Sequence, residues 1–263
     1  MISIDQQLVK DMVASGKRID NRKLDEYRDI KIEKGFVTSA EGSARVKLGN
    51  TEVLAGVKFG VGEPFADTPD EGVLMVGAEF VPLASPDFES GPPGEEAIET
   101  ARVVDRAIRE SKVIDFKQLC IKPKEKTWMV YVDIDILDND GNLIDACSIA
   151  AISALLDAKL PELDEDFSID TEKERTKKLP ITGVPISTTI ARIGNKLVVD
   201  PTLSEELALD SRLTVGTFDK NGEIMLSSMQ KGGTGGLSLE EIDKMVSMAE
   251  HAGKKIRAAV LES

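Results

Sequence analysis

The stretch from Thr127 to Ile152, TWMVYVDIDILDNDGNLIDACSIAAI, constrains the fold more than any other. Val132, Ile134 and Ile136 alternate with Asp133 and Asp135, which predicts a strand with one polar face. Asp-Asn-Asp-Gly then makes a turn, and the small apolar run beyond it predicts a helix from about Ala146 to Lys159. A turn feeding a helix N-terminus is a place where proteins hold phosphate, because free N–H groups and the helix dipole point there. This turn offers no Lys, Arg or Thr, and it brings Asp145 to the start of the helix. Asp is a good N-cap, about 1 kcal/mol better than Ala, and its charge suits the dipole. The expectation is that Asp145 caps the helix and sets a like charge where an anion would sit.

The rest of the chain surrounds this unit with strands. A helix is predicted over Gln6–Ser15, then strands at Asp29–Glu33, Ser43–Leu48 and Val53–Phe59, the last two joined by the hairpin turn Leu48–Thr51. A Gly/Pro/Asp-rich loop follows over Gly60–Gly72, then a strand at Leu74–Pro82, a loop at Ser85–Gly94 and a helix at Glu95–Ser111. Residues 161–178 are acidic and mixed in charge, and read as a linker. Beyond them come strands at Val184–Ile193, Lys196–Val199, Arg212–Phe218 and Ile224–Gln230, and a final helix over Ser238–Leu261. Ser238 and Glu241 form a capping-box pattern at its start, with Leu237 and Ile242 at hydrophobic-staple spacing. The GGTGG before it lacks Gly-Lys-Ser/Thr and Rossmann spacing, so it reads as a turn. The order predicts an α+β chain in two halves: 1–160 with an N-terminal helix, the acidic linker 161–178, and 179–263.

Composition removes several function classes. The only histidine, His251, lies about 180° around the last helix from Ile242, away from the stripe Ile242, Val246, Ala249, Ile256 and Val260. A Ser-His-Asp or Cys-His unit is therefore not expected. Cys120 and Cys147 have neither zinc nor redox spacing, and read as buried free thiols. No apolar run reaches the roughly 18 residues of a membrane span, and the N-terminus has no signal-peptide pattern, so a cytoplasmic protein is expected. The net charge of −14 repels nucleic acid from the surface as a whole, so any contact with it must be local.

One element is locally basic. With Ile98 as zero, Arg102, Arg106 and Arg109 fall at about 40°, 80° and 20° around the Glu95–Ser111 helix, a single face. Ala97, Ala101, Val104 and Ile108 form another face, which should meet the core. The arginines have two readings. They could form the intrahelical pairs Glu99–Arg102, Asp105–Arg109 and Arg106–Glu110, each worth about 0.2–0.5 kcal/mol. They could instead bind phosphate or RNA, for which the guanidinium fork is suited.

GKRIDNRKLDEYRDI, EGSARVKLGNTEVL, VKFGVGEPFADTPDEG, VPLASPDF, GPPGEEAIETARVVDRAIRES, the strand–turn–helix stretch and LVVDPTLSEELALDSRLTVGTFDKNGEIMLSSMQKGG together resemble the RNase PH family over nearly the whole chain. Within that family they are similar to the non-catalytic ring subunits of the archaeal exosome. The resemblance implies an RNase PH fold, a ribosomal-protein-S5-domain-2-like βαβ unit with a second, related C-terminal subdomain. It also implies a hexameric ring, a trimer of heterodimers with a catalytic RNase PH-like subunit. RNA-binding cap proteins sit on one face of such a ring, and single-stranded RNA is degraded 3′ to 5′ by phosphorolysis.

Active members carry Asp-Gly-Gly-Thr-Arg/Gln-Thr/Ser at the turn before the central helix. Here Asp140-Gly141 matches the start, while Asn142, Leu143, Ile144 and Asp145 replace the rest. Active members also carry two aspartates six residues apart in the second half. Those positions fall near Glu206 and Arg212, or bring in Asp210 if shifted; a metal-binding cluster of Glu205, Glu206 and Asp210 is the weaker alternative. The chain is therefore expected to lack catalysis, cofactor and metal, the alternative being an active phosphorolytic exoribonuclease. By the same resemblance Arg102, Arg106, Arg109 and Lys58 are the expected RNA contacts, beside a partner's active site.

Overall fold

A computed structural model describes residues 6–170, 173, 175 and 177–263. Four residues of the acidic stretch 161–178, namely Thr171, Glu172, Glu174 and Thr176, lie outside the described residues. The first half runs α1 (Gln6–Ala14), β1 (Ile30–Lys34), β2 (Gly42–Leu48), β3 (Thr51–Gly62), β4 (Val73–Phe80) and α2 (Glu95–Ser111). A short 3-10 turn at Phe116–Leu119 leads to β5 (Cys120–Lys122), β6 (Lys126–Asp138), α3 (Leu143–Asp157) and β7 (Lys159–Leu160). The second half holds β8 (Lys177–Lys178), β9 (Ile186–Ile193), β10 (Lys196–Val199), α4 (Leu203–Ala208), β11 (Ser211–Lys220), β12 (Glu223–Gly232) and α5 (Leu239–Glu262).

Two sheets result. The first has the order β1-β2-β3-β6-β4, with β5 paired to one end of β6. All its pairs are antiparallel except β4 with β6, which are joined by the crossover helix α2. That is a βαβ unit, as parallel neighbours require. The second sheet, β10-β9-β11-β12, is wholly antiparallel. β7 and β8 pair with each other as a separate two-stranded ribbon.

The alternation read in β6 is present: Val130, Val132, Ile134 and Ile136 are buried, and Asp133 faces solvent. With Val53, Ala55 and Val57 of β3 they form one inner face, which α2 and α3 cover. Every residue of α3 from Ile144 to Leu155 is buried, the expected state of a helix that is apolar all round. Close approach makes this possible. Gly42, at the start of β2, lies so near the end of α3 that a Cβ there would stand 2.5 Å from the Ala154 carbonyl oxygen.

Several expectations change. α3 begins at Leu143, three residues before Ala146, because Asn142 already turns the chain in the left-handed conformation, φ 56°. β3 runs on to Gly62 because β6 continues to pair with it as far as Thr127. α4 has no counterpart in the sequence reading, since six residues are too few to show a periodicity. Cys147 is buried as expected, but Cys120 is only half-buried, since β5 pairs along one side alone; both thiols are free. The inner stripe of α5 is Met245, Ala249, Ala252, Ile256 and Val260, with Ile242 and Val246 half-buried at its margin. His251 is exposed. No helix among the described residues is long and apolar enough to cross a membrane.

α4 is locked by a buried ion pair. Arg18 donates from Nε to Glu205 Oε1 at 2.8 Å and from Nη2 to Oε2 at 2.6 Å. Both side chains are excluded from water, and Arg18 also reaches the carbonyls of Val199 and Asp200. Replacing Glu205 by Ala leaves a buried guanidinium with only the more distant Asp20, 4.0 Å from its Nε, as counter-charge, and breaking a buried pair costs about 3–5 kcal/mol. Urea unfolding is expected to show a destabilisation of that size, and one under about 1 kcal/mol would mean that the pair is idle.

Candidate functional site

The turn before α3 is fastened from three sides. Arg28 donates to the carbonyls of Asp140 (2.9 Å) and Gly141 (3.1 Å), and Thr51 Oγ1 donates to Gly141 O at 2.8 Å. Leu203 N–H donates to the Asp140 carbonyl at 3.0 Å. Gly141 has φ +83°, and a Cβ on it would collide with the backbone of Thr202 and Leu203. The turn is thus clamped between the N-terminal segment and α4.

Asp145 does not cap the helix, contrary to the expectation. It is the third residue of α3, and α3 has no side-chain cap. Its carboxylate turns inward, wholly buried. Oδ2 accepts from Tyr27 Oη (2.8 Å), Asn142 Nδ2 (2.9 Å) and Thr189 N (2.9 Å), and Oδ1 accepts from Thr189 Oγ1 (2.8 Å). Burial raises its pKa to about 6, against the hydrogen bonds from Thr189, Asn142 and Tyr27 that favour the charge. Burial, with Asp145 next to it, also lifts the Tyr27 hydroxyl well above its usual range. Asn142 bridges onward to Asp200 (2.7 Å), which is gripped by Arg28 (2.7 Å) and Arg22 (2.8 Å).

The carboxylate at the start of α3 belongs to Glu206 instead. Its Oε1 accepts from Asn142 N–H at 2.9 Å, and burial raises its pKa to about 7. A cavity of about 290 Å³ opens there, bordered by Asn142, Leu143, Ile144, Glu206 and Arg212. Arg212 Nη2 donates to Glu99 of α2 at 2.8 Å, and Gln230 Nε2 donates to the same carboxylate at 3.0 Å. The three acids of the alternative metal cluster part company: Glu205 pairs with Arg18, Glu206 faces Asn142, and Asp210 accepts from Gly194 N–H (2.7 Å) and Lys10 (3.4 Å).

The arginine face of α2 takes shape as its angles require. Ala97, Ala101, Val104 and Ile108 are buried, and Arg102 and Arg106 are exposed. Of the three intrahelical pairs only Asp105–Arg109 forms, at 2.6 Å, and Arg109 also donates to the Leu74 carbonyl at 2.9 Å. Among the described residues Arg102 and Arg106 make no hydrogen bond or ion pair. They border a groove of about 310 Å³ between α2 and β12, with Ile98, Val103 and Met229 as its apolar part. Lys58 is exposed on the outer face of the first sheet, where it donates to Ser39 O and Glu41 Oε1, each at 3.0 Å. Its neighbours Val57 and Phe59 point to the opposite face, the one that α2 covers, so Lys58 does not join the arginines.

A model of the 3′ exoribonuclease (RNase PH) family, domain 1, matches residues 26–161, and its domain 2 matches residues 183–252. The chain belongs to the RNase PH family. The exosome complex component Rrp42 of Pyrococcus horikoshii is 50% identical over 254 residues, 96% of this chain and 92% of that protein. The Archaeoglobus fulgidus exosome with RNA bound to the active site contains a chain that superposes with a TM-score of 0.88 at 43% identity, covering 96% of each chain. An archaeal exosome core gives 0.85 at 40% identity, over 97% of this chain and 95% of the other. The RNase PH fold read from the sequence is borne out, and so is the likeness to archaeal exosome subunits.

Sequence reasoning missed Tyr27, Arg28, Asp200 and Glu99 as parts of this region. Asp200 lies 172 residues from Arg28, and no local spacing connects them. For Asp145, a folded pKa near 6 against the ordinary 3.8 means that the folded chain holds this proton more tightly. Stability from this group therefore falls as pH rises from about 4 to about 6, and is level above. Relative to Asp145→Asn, the unchanged chain is expected to lose up to about 3 kcal/mol across that window, followed by urea unfolding. Parallel stability curves for the two proteins would contradict it.

Proposed function

We propose that this chain is a non-catalytic ring subunit of an archaeal-type exosome, the 3′-to-5′ phosphorolytic RNA-degrading complex. In this reading it works in the cytoplasm, in a trimer of heterodimers with a catalytic RNase PH-like subunit and beneath RNA-binding cap proteins. Its two subdomains, 1–160 and 179–263, are joined by residues 161–178. The full-length likeness to Rrp42 proteins and to chains of solved archaeal exosomes supports the assembly.

The observation that carries the non-catalytic reading is the start of α3. Phosphorolysis brings one anion against another, so it needs donors aimed at the attacking phosphate. The turn and first residues of α3 carry no hydroxyl or cation, and a carboxylate, Glu206, accepts the Asn142 N–H. The role left to the chain is to complete the partner's site and hold RNA. Arg102 and Arg106 stand one turn apart, exposed and, among the described residues, without an ion pair, ready to take phosphate oxygens in their forks. Arg109 is a secondary contact, since it already has a carboxylate partner, and Lys58, paired with Glu41 on the opposite face of the sheet, would meet RNA only apart from the arginines.

Measurements on the assembled ring and on the purified chain test this. In the assembled ring, Arg102→Glu with Arg106→Glu is expected to weaken single-stranded RNA binding at least about tenfold and to slow degradation. Arg102→Ala with Arg106→Ala should reduce the salt slope of binding by roughly 0.7 for each phosphate that the arginines neutralise. Unchanged RNA degradation would rule out the clamp. Separately, the purified chain with RNA and phosphate is expected to release no nucleoside diphosphate; release would favour the alternative of an active phosphorolytic exoribonuclease.

A further inference from the structure

The acids of α2 within one turn of Arg102 are Glu99, three residues before it, and Asp105, three residues after it. Either is placed to cancel its charge. Asp105 is taken by Arg109, which donates to it from Nε at 3.1 Å and from Nη2 at 2.6 Å. Glu99 is taken from outside the helix. Arg212 Nη2 donates to its Oε2 at 2.8 Å, and Gln230 Nε2 donates to its Oε1 at 3.0 Å. The Arg212 side chain is 18% exposed and that of Glu99 34%, so water screens this pair less than it would screen a Glu99–Arg102 pair on the helix surface.

Arg212 reaches Glu99 by lying across its cross-strand neighbour, Gly232 of β12. A Cβ at Gly232 would stand 2.7 Å from both Cζ and Nε of Arg212, so the missing side chain leaves the guanidinium its place. The backbone of Gly232 does not have a positive φ and does not itself call for glycine. We propose that Arg212 is a positioning residue for RNA: seated over Gly232, it holds the Glu99 carboxylate toward β12 and so keeps the Arg102 guanidinium open to a phosphate of the RNA. This rests on the RNA-binding role proposed above for Arg102, and adds to it two residues of the second half, Arg212 and Gly232. With Arg212 displaced, Glu99 pairs with Arg102 at i, i+3, and a phosphate must compete with that carboxylate.

The test uses the assembled ring and single-stranded RNA, with binding measured over a range of salt concentrations. Gly232→Ala displaces the Arg212 guanidinium and removes no charge. It is expected to weaken binding roughly fivefold at about 0.1 M salt and to lower the salt slope by roughly 0.7, the share of one phosphate. Arg212→Met removes the hold on Glu99 outright and is expected to give the same loss. Adding Glu99→Gln to either variant, so that no carboxylate is left to pair with Arg102, is expected to restore affinity and slope. In the otherwise unchanged chain Glu99→Gln should alter binding less than about twofold, and that non-additivity marks the coupling. Native mass spectrometry checks that each variant ring has formed. RNA binding unchanged in both the Gly232→Ala and Arg212→Met rings, or a gain from Glu99→Gln of equal size with and without them, overturns the proposal. Arg102→Glu with Arg106→Glu in the same assay separates the two readings. If it weakens binding and neither Gly232→Ala nor Arg212→Met does, the positioning role alone fails; if it has no effect, the RNA role and the positioning role fall together.

Discussion

A helix buried on every side cannot use water to satisfy its polar groups, and that constraint shapes the centre of this protein. α3 lies between the two sheets, with Ile144–Leu155 all excluded from solvent. A carboxylate in such a helix is costly unless each oxygen is engaged. Asp145 meets that demand with four hydrogen bonds, two of them from Thr189 on the second sheet and one from Tyr27 in the N-terminal segment. Three parts of the chain far apart in sequence are thereby held to one side chain.

The same network decides what the turn before α3 can do. Asn142 donates to Asp145 and to Asp200, while Arg28 grips Asp200 and the carbonyls of the turn. Burial works against the Arg28 charge, but its bonds to Asp200 outweigh this and hold its pKa above the usual value. The turn is a structural joint between both halves. Its side chains bind protein, and none of them faces outward as a phosphate ligand.

What is legible in the sequence follows from range. The alternation of β6, the apolar run of α3 and the two faces of α2 are local patterns, and each appears in the structure as read. The function of Asp145 is not legible locally. It looks like a cap, and only Thr189, 44 residues away, and Tyr27, 118 residues away, show that it faces inward. Glu206 presents the reverse case. In sequence it looks like one of several solvated acids, because its neighbour across the fold, Asn142, is 64 residues distant. Burial and pairing across elements are non-local quantities, so charged residues are harder to read than apolar ones.

The arginine face shows how the fold's own contacts can expose a charge. Glu99 is placed to pair with Arg102 along α2, an interaction worth only a few tenths of a kcal/mol. It instead accepts from Arg212 and Gln230, which ties α2 to β11 and β12. Asp105 is likewise committed to Arg109, which anchors α2 to the Leu74 carbonyl on β4. Glu99 and Asp105 are therefore drawn to either side of the face, and among the described residues Arg102 and Arg106 between them make no ion pair. The net charge of −14 does not cancel this, since exposed charges beyond about 8 Å are largely screened at physiological salt. An anion approaching α2 meets two guanidinium groups on a helix pinned at both flanks, so the ordering cost falls on the two arginine side chains and not on the backbone that carries them.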